Sequence, residues 1–234
     1  MHSRNEYLNQ VSKIMPEAED ARDYYAQMTA WIDSHRNWIG MDIMDIGCGT
    51  GVLSCYLARV FPHAFVLGVD RNPAVIAAAR KLAHSLELPN IRFVCEDICG
   101  IEEKNLCDTV VVSGLSHGMR GEPDGLAAAD SYPDRCRVWQ RAYMKYARRL
   151  ARVLAAGGVL IAADRFSSND AGCGLYLAYH KAGITPNFNF YQKFPSGDMH
   201  LILGNKGMHA PEEAVFQQAR ELLRDRVSDW EKAE

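Results

Sequence analysis

The chain has 234 residues, 48% of them hydrophobic and 24% charged, with a formal net charge of −3. That length suits one domain, 1–234, with a sizeable buried core, and the charge lacks the overall positive field that draws nucleic acid, so no nucleic-acid partner is expected. The first twenty residues hold no apolar signal-peptide segment, and no apolar run reaches the ~18 residues of a membrane span, so the expectation is a cytoplasmic protein without membrane contact.

Residues 17–39, EAEDARDYYAQMTAWIDSHRNWI, carry Tyr24, Met28, Trp31 and Ile32 at three- and four-residue spacing and predict a helix. Residues 1–39 precede the sheet and are expected to act as a helical lid. From Asp42, short β-branched runs alternate with helical segments, the pattern of an α/β core over 40–206 with a mostly parallel sheet. The first strand is Asp42–Ile46, and the helix after it runs from Val52 to about Arg59. AFVLGVD, Ala64–Asp70, is the second strand, and the next helix opens with Asn72 as N-cap and Pro73 at its first position. NIRFVCED and LCDTVVVSG are the third and fourth strands.

A loop, GLSHGMRGEPDGLAAADSYPD, leads to a long helix, RCRVWQRAYMKYARRLARVLAAGG, that the Gly157–Gly158 pair is expected to close. GVLIAADRF is the fifth strand, and the helix GCGLYLAYHKAG ends at Gly183. ITPNFNFYQKF and MHLILGNK read as an antiparallel hairpin about a Pro-Ser-Gly turn. Residues 207–234 end in an amphipathic helix with Val215, Leu222, Leu223 and Val227 near one face, which either packs on its own chain or pairs with a second copy in a homodimer. Seven cysteines, odd in number and scattered, read as reduced thiols. Cys95, Cys99 and Cys107 come nearest to a metal set, but without a CxxC pair or paired histidines no metal is expected.

DIMDIGCGTGVLS, Asp42–Ser54, has Gly47, Gly49 and Gly51 at alternate positions between a strand and a helix. Such a turn lets the backbone approach a ligand at the helix N-terminus, and by itself it suits a dinucleotide, a phosphate, S-adenosylmethionine or a purely structural turn. In an α/β sheet ligands sit beyond the carboxyl ends of the strands, so those ends carry the argument. They hold Asp45, then Asp70, able to accept both hydroxyls of a ribose, then Glu96-Asp97-Ile98, with acceptors for an adenine amino group and an apolar side chain for its ring, and then Ser113-Gly114.

Here the chain resembles the class I S-adenosylmethionine-dependent methyltransferases. MDIGCGTG is similar to their first motif, LGVDRNP to their ribose-binding segment, FVCEDI to their adenine segment, CDTVVVSG to their fourth strand and RVLAAGGVLIAAD to their turn into strand five. The glycines fall as G-x-G-x-G, unlike the G-x-G-x-x-G of dinucleotide folds. The resemblance implies a Rossmann-like, seven-stranded, mostly parallel sheet with a reversed C-terminal strand, helices on both faces, and added N- and C-terminal helices. It implies S-adenosyl-L-methionine as cofactor, with Asp45 near the methionine ammonium and Gly47, Gly49, Gly51, Asp70, Arg71, Asp97, Ile98 and Ser113 completing its site.

A sulfonium has three electrophilic carbons, so the protein must mainly align a nucleophile and exclude water. Candidate catalytic groups are His117 just beyond strand four, Tyr24 in the N-terminal helix and Tyr176, with Ser116, Asp164, Arg165 and Tyr25 also in reach of the strand ends. The Pro-Pro signature of nucleic-acid methyltransferases is absent after strand four, where Ser113-Gly114-Leu115-Ser116 stands. The leading expectation is methyl transfer to a small molecule, as in secondary metabolism. The alternatives are a cyclase similar to the azetidine-2-carboxylate synthases, releasing methylthioadenosine, and a non-catalytic relative that binds a nucleoside or a partner.

Overall fold

The computed structural model describes residues 3–114, 121–195 and 198–224. Strands β1 (Asp42–Ile46), β2 (Phe65–Asp70), β3 (Ile91–Cys95), β4 (Cys107–Ser113), β5 (Leu154–Asp164), β6 (Ile184–Lys193) and β7 (His200–Lys206) form one sheet in the order β3-β2-β1-β4-β5-β7-β6. The first five pair in parallel, and β7 runs antiparallel to both β5 and β6. The expected sheet is therefore present, with its reversed strand inside the order. β6 forms the edge, where Pro186 removes no ladder bond that a neighbour needs.

β1 lies inside the sheet between β2 and β4, and alternation of its side chains divides the molecule. Ile43 joins a core beneath α1 (Arg4–Ile14), α2 (Arg22–Ser34), α3 (Val52–Val60) and α4 (Pro73–Ser85), while Met44 and Ile46 join a second core beneath α5 (Tyr132–Val153), α6 (Asn169–Lys181) and α7 (Glu212–Arg224). Asp45 thus points to the α1–α4 side. The caps follow local chemistry: the Asn72 side chain accepts from Ala74 N–H at 3.0 Å with Pro73 behind it, and Ser131 and Ser168 cap α5 and α6. Among the described residues no helix is long and apolar enough to cross a membrane.

Two expectations are corrected. The N-terminal segment holds two α-helices, with a 3-10 turn at Pro16–Ala21 where one helix was expected to run. Tyr7, Leu8 and Val11 of α1 and Met28, Trp31 and Ile32 of α2 are buried in the first core. The long helix stops at Val153, and Leu154 to Gly158 already belong to β5. There the register against β4 shifts between Cys107 and Thr109, and a Cβ on Gly158 would lie 2.8 Å from the Asp108 carbonyl oxygen. The glycine pair therefore serves a strand irregularity and not a helix C-cap. Of the two readings of the last helix, α7 packs on α6 of its own chain, where Leu223 fills the space beside Gly172.

Ile32→Ala tests this packing. Truncating a fully buried isoleucine is expected to cost about 2–5 kcal/mol, read as a lower midpoint in thermal or urea unfolding. An unchanged midpoint would mean that α2 is a removable cover.

Candidate active site

β1 ends in a turn that hangs on its neighbour. Gly47 takes φ +72°, and the N–H groups of Gly47 and Cys48 donate to the Val69 carbonyl at 2.8 and 3.1 Å. Gly49 N–H donates to Asp70 Oδ2 at 3.0 Å, and Asp70 Oδ1 accepts from Asn72 N–H at 2.9 Å. One carboxylate so ties the turn after β1 to the start of α4. The three glycines differ in what they permit. A Cβ on Gly49 would meet nothing within 4 Å, whereas one on Gly51 would stand 2.8 Å from Ala79 Cβ and from Phe93 Cζ. Gly51 answers to helix packing and to its φ of +78° at the head of α3, not to open space for a ligand.

Beyond the turn lies a cavity of about 180 Å³. Gly47, Asp70, Arg71, Asp97, Ile98 and Ser113 line it, together with Ile46, Val69, Glu96, Gly114 and Tyr146. The sequence-expected residues Asp45, Gly49 and Gly51 stand outside that lining. Asp97 has local work as well, since its Oδ1 accepts Cys99 N–H at 2.8 Å and caps the turn Ile98–Gly100, which leaves Glu96 as the second carboxylate on that wall. Tyr146 escaped the sequence reading because periodicity assigned the α5 aromatics to the core, and only the packing of α5 against the strand ends brings it here.

A methyltransferase-domain family model matches residues 39–171, more than half of the chain. The chain belongs to the class I S-adenosylmethionine-dependent methyltransferases. S-adenosylmethionine is the cofactor of this family, and the cavity suits it. Apolar Ile46, Val69 and Ile98 stand with the carboxylates Asp70, Glu96 and Asp97 about open backbone at Gly47. Each Asp70 oxygen accepts one N–H and retains capacity for a hydroxyl. A tRNA (guanine-N(7)-)-methyltransferase of Rubrobacter xylanophilus is 43% identical over 54 residues, 23% of this chain and 24% of its own length. Trans-aconitate 2-methyltransferase of Deinococcus radiodurans is 45% identical over 56 residues, 24% of this chain and 20% of its own. The chain thus spans about a quarter or less of these curated relatives. A SAM-dependent methyltransferase from Aquifex aeolicus shares the fold, with a TM-score of 0.59 at 16% identity over 83% of this chain and 97% of that one.

A second cavity of about 380 Å³ adjoins the first. Asp20, Ala21, Tyr24, Arg165 and Met199 line it, with Ser113 and Gly114 shared between the two cavities. Tyr24 Oη lies 2.5 Å from Ser113 Oγ, so α2 touches the end of β4 where the cavities meet. Burial pushes the Tyr24 phenol well above its usual range, against the Ser113 hydrogen bond, so it stays neutral. Tyr176 is not brought to either cavity. It is buried in α6 between the rings of Phe166 and Phe188, whose centroids lie 5.7 and 5.6 Å away, because its turn of α6 faces the sheet. His117 and Ser116 lie outside the described residues. Asp164 is buried at the end of β5.

Asp45 is 2% exposed and accepts a hydrogen bond from Ser54 Oγ. Burial pushes its carboxyl up to about 6; the Ser54 bond opposes this and the Asp70 charge adds to it. The fold therefore binds a proton at Asp45 that the unfolded chain releases near its ordinary value of 3.8. Stability from this group is present below about pH 4 and declines as pH rises to about 6, a loss of roughly 3 kcal/mol for a shift of about two units. Asp45→Asn is expected to raise the unfolding temperature of the ligand-free protein at pH 7.5 and to change it little at pH 4. Equal effects at both pH values would refute the assignment.

Proposed function

We propose that this chain transfers the methyl group of S-adenosylmethionine to a small-molecule acceptor bound in the cavity of about 380 Å³. The observation that carries the reading is the junction of the two cavities at Ser113 and Gly114: one is built for a nucleoside and the other opens from its end. The bound cofactor supplies an electrophilic methyl on a sulfonium. The chain's own task is to bind, orient and exclude water.

In this reading Asp70 accepts from the ribose hydroxyls, Ile98 lies on the adenine, and Glu96 and Asp97 offer acceptors to its amino group. Asp45, ionised above about pH 6, is the counter-charge for the methionine ammonium across the glycine turn. Tyr24 and Ser113 present hydroxyls where the acceptor's nucleophilic atom must stand, and the neutral phenol orients that atom by hydrogen bonding. Asp20 and Arg165 give the acceptor cavity one charge of each sign, which favours a polar acceptor over a hydrocarbon.

Asp70→Ala is expected to weaken S-adenosylmethionine binding by about 1–3 kcal/mol, five- to 150-fold, in calorimetry on a folded variant. Unchanged affinity would remove Asp70 from the site. For the reaction, the wild-type protein is incubated with the cofactor alone and the adenosine-containing product is identified by mass spectrometry. No turnover until an acceptor is added, then S-adenosylhomocysteine, supports methyl transfer. Methylthioadenosine formed faster than in an enzyme-free control would replace it with the cyclase chemistry.

A further inference from the structure

The charge of this chain is unevenly laid out. Residues 141–152, RAYMKYARRLAR, hold Arg141, Lys145, Arg148, Arg149 and Arg152 and no acidic residue, in a chain of formal net charge −3. Arg141, Lys145, Arg148 and Arg152 follow i, i+4, i+7 and i+11 spacing, so they form one row along α5 about 16 Å long, with charges about 4.5–6 Å apart along the axis. These four are exposed, and with Arg149 and Met144 they line a groove of about 630 Å³. Among the described residues no carboxylate lies within 4.0 Å of any of the five cations. Arg149 and Arg152 donate to the backbone carbonyls of Ile101 and Glu102 at 3.3 and 2.7 Å, which holds them in place without neutralising them.

Among the described residues no carboxylate accounts for this row. The negative end of the helix dipole favours Arg152 in the last turn, but it fades well before Lys145 and Arg141. Like charges at these spacings repel and disfavour the helix. Among the described residues the row is therefore a face without a counter-charge, and an external anion would stabilise it. We propose that it docks a nucleic-acid strand through its phosphates.

Two features select that partner over an acidic protein. Four of the five cations are arginines, whose planar forks match phosphate oxygens. A protein interface also needs an apolar or aromatic centre, and this face offers Met144 alone, whereas phosphate contacts bind without one. The row goes beyond the acceptor reading. It stands on α5, whereas the acceptor cavity is walled by α2, the turn before it, the ends of β4 and β5, and Met199, so a docked strand leaves that cavity open.

The test is fluorescence anisotropy of a labelled twenty-nucleotide oligouridylate with the full chain. Saturable binding in the micromolar range at 50 mM salt is expected, weakening about twentyfold by 150 mM, as about four phosphate contacts on a single strand require. Arg141→Glu/Lys145→Glu/Arg148→Glu should lose at least about tenfold, and Arg141→Gln/Lys145→Gln a smaller part, as the count of phosphate contacts falls. Both should keep wild-type S-adenosylmethionine affinity in calorimetry, which reports an intact fold. The proposal is overturned by no binding up to about 100 μM, by unchanged affinity in the triple variant, or by equal affinity for polyglutamate. The product assay contains no oligonucleotide, so the acceptor reading stands or fails separately.

Discussion

The site depends on three backbone N–H groups, those of Gly47, Cys48 and Gly49, reaching the last residues of β2. These donors belong to the turn ahead of α3, which has no strand ladder or helix of its own to receive them. Satisfying them on Val69 O and Asp70 Oδ2 sets how far the turn leans toward β2, and hence where the cavity opens. The same carboxylate then receives Asn72 N–H and so sets the start of α4. Exchanging the glycines would strain the positive φ of Gly47 and Gly51 and, at Gly51, collide with Phe93.

The N-terminal helices show how packing and site share one element. Met28 and Ile32 anchor α2 in the core, and one turn earlier Tyr24 reaches Ser113. Asp45 is itself buried, with Ser54 of α3 donating to it, so the fold tolerates a carboxylate whose ionised form it disfavours. Such a cost is usual where a binding group must be dry and ready for an opposite charge.

Charge illustrates a related point. Net charge describes the field far from the molecule, where salt screens it within about 8–10 Å. At contact range the local distribution decides, and α5 carries five cations within twelve residues while the acids lie elsewhere. The Arg-Lys-Arg-Arg spacing was visible as letters, but a predicted helix does not say which of its faces is left uncovered.

By itself the sequence determined most of the fold and much of the lining of one strand-end cavity, because both are written in local patterns. Alternating β-branched runs, the Asn72-Pro73 cap, three glycines at alternate positions and acids at strand ends each have one structural meaning at short range. Gly47, Asp70, Arg71, Asp97, Ile98 and Ser113 accordingly line one cavity. What the tertiary structure alone decided concerns partners distant in the chain. Tyr146 enters the cleft and Tyr176 the core, although both are helical tyrosines, because each is placed by which helix face meets the sheet. Leu154 to Gly158 became strand where a helix end was expected, because pairing with β4 outweighed the local glycine signal. The N-terminal helices joined the core, because no short-range pattern tells an amphipathic lid from an amphipathic wall: both present the same stripe, and only the surface opposite distinguishes them.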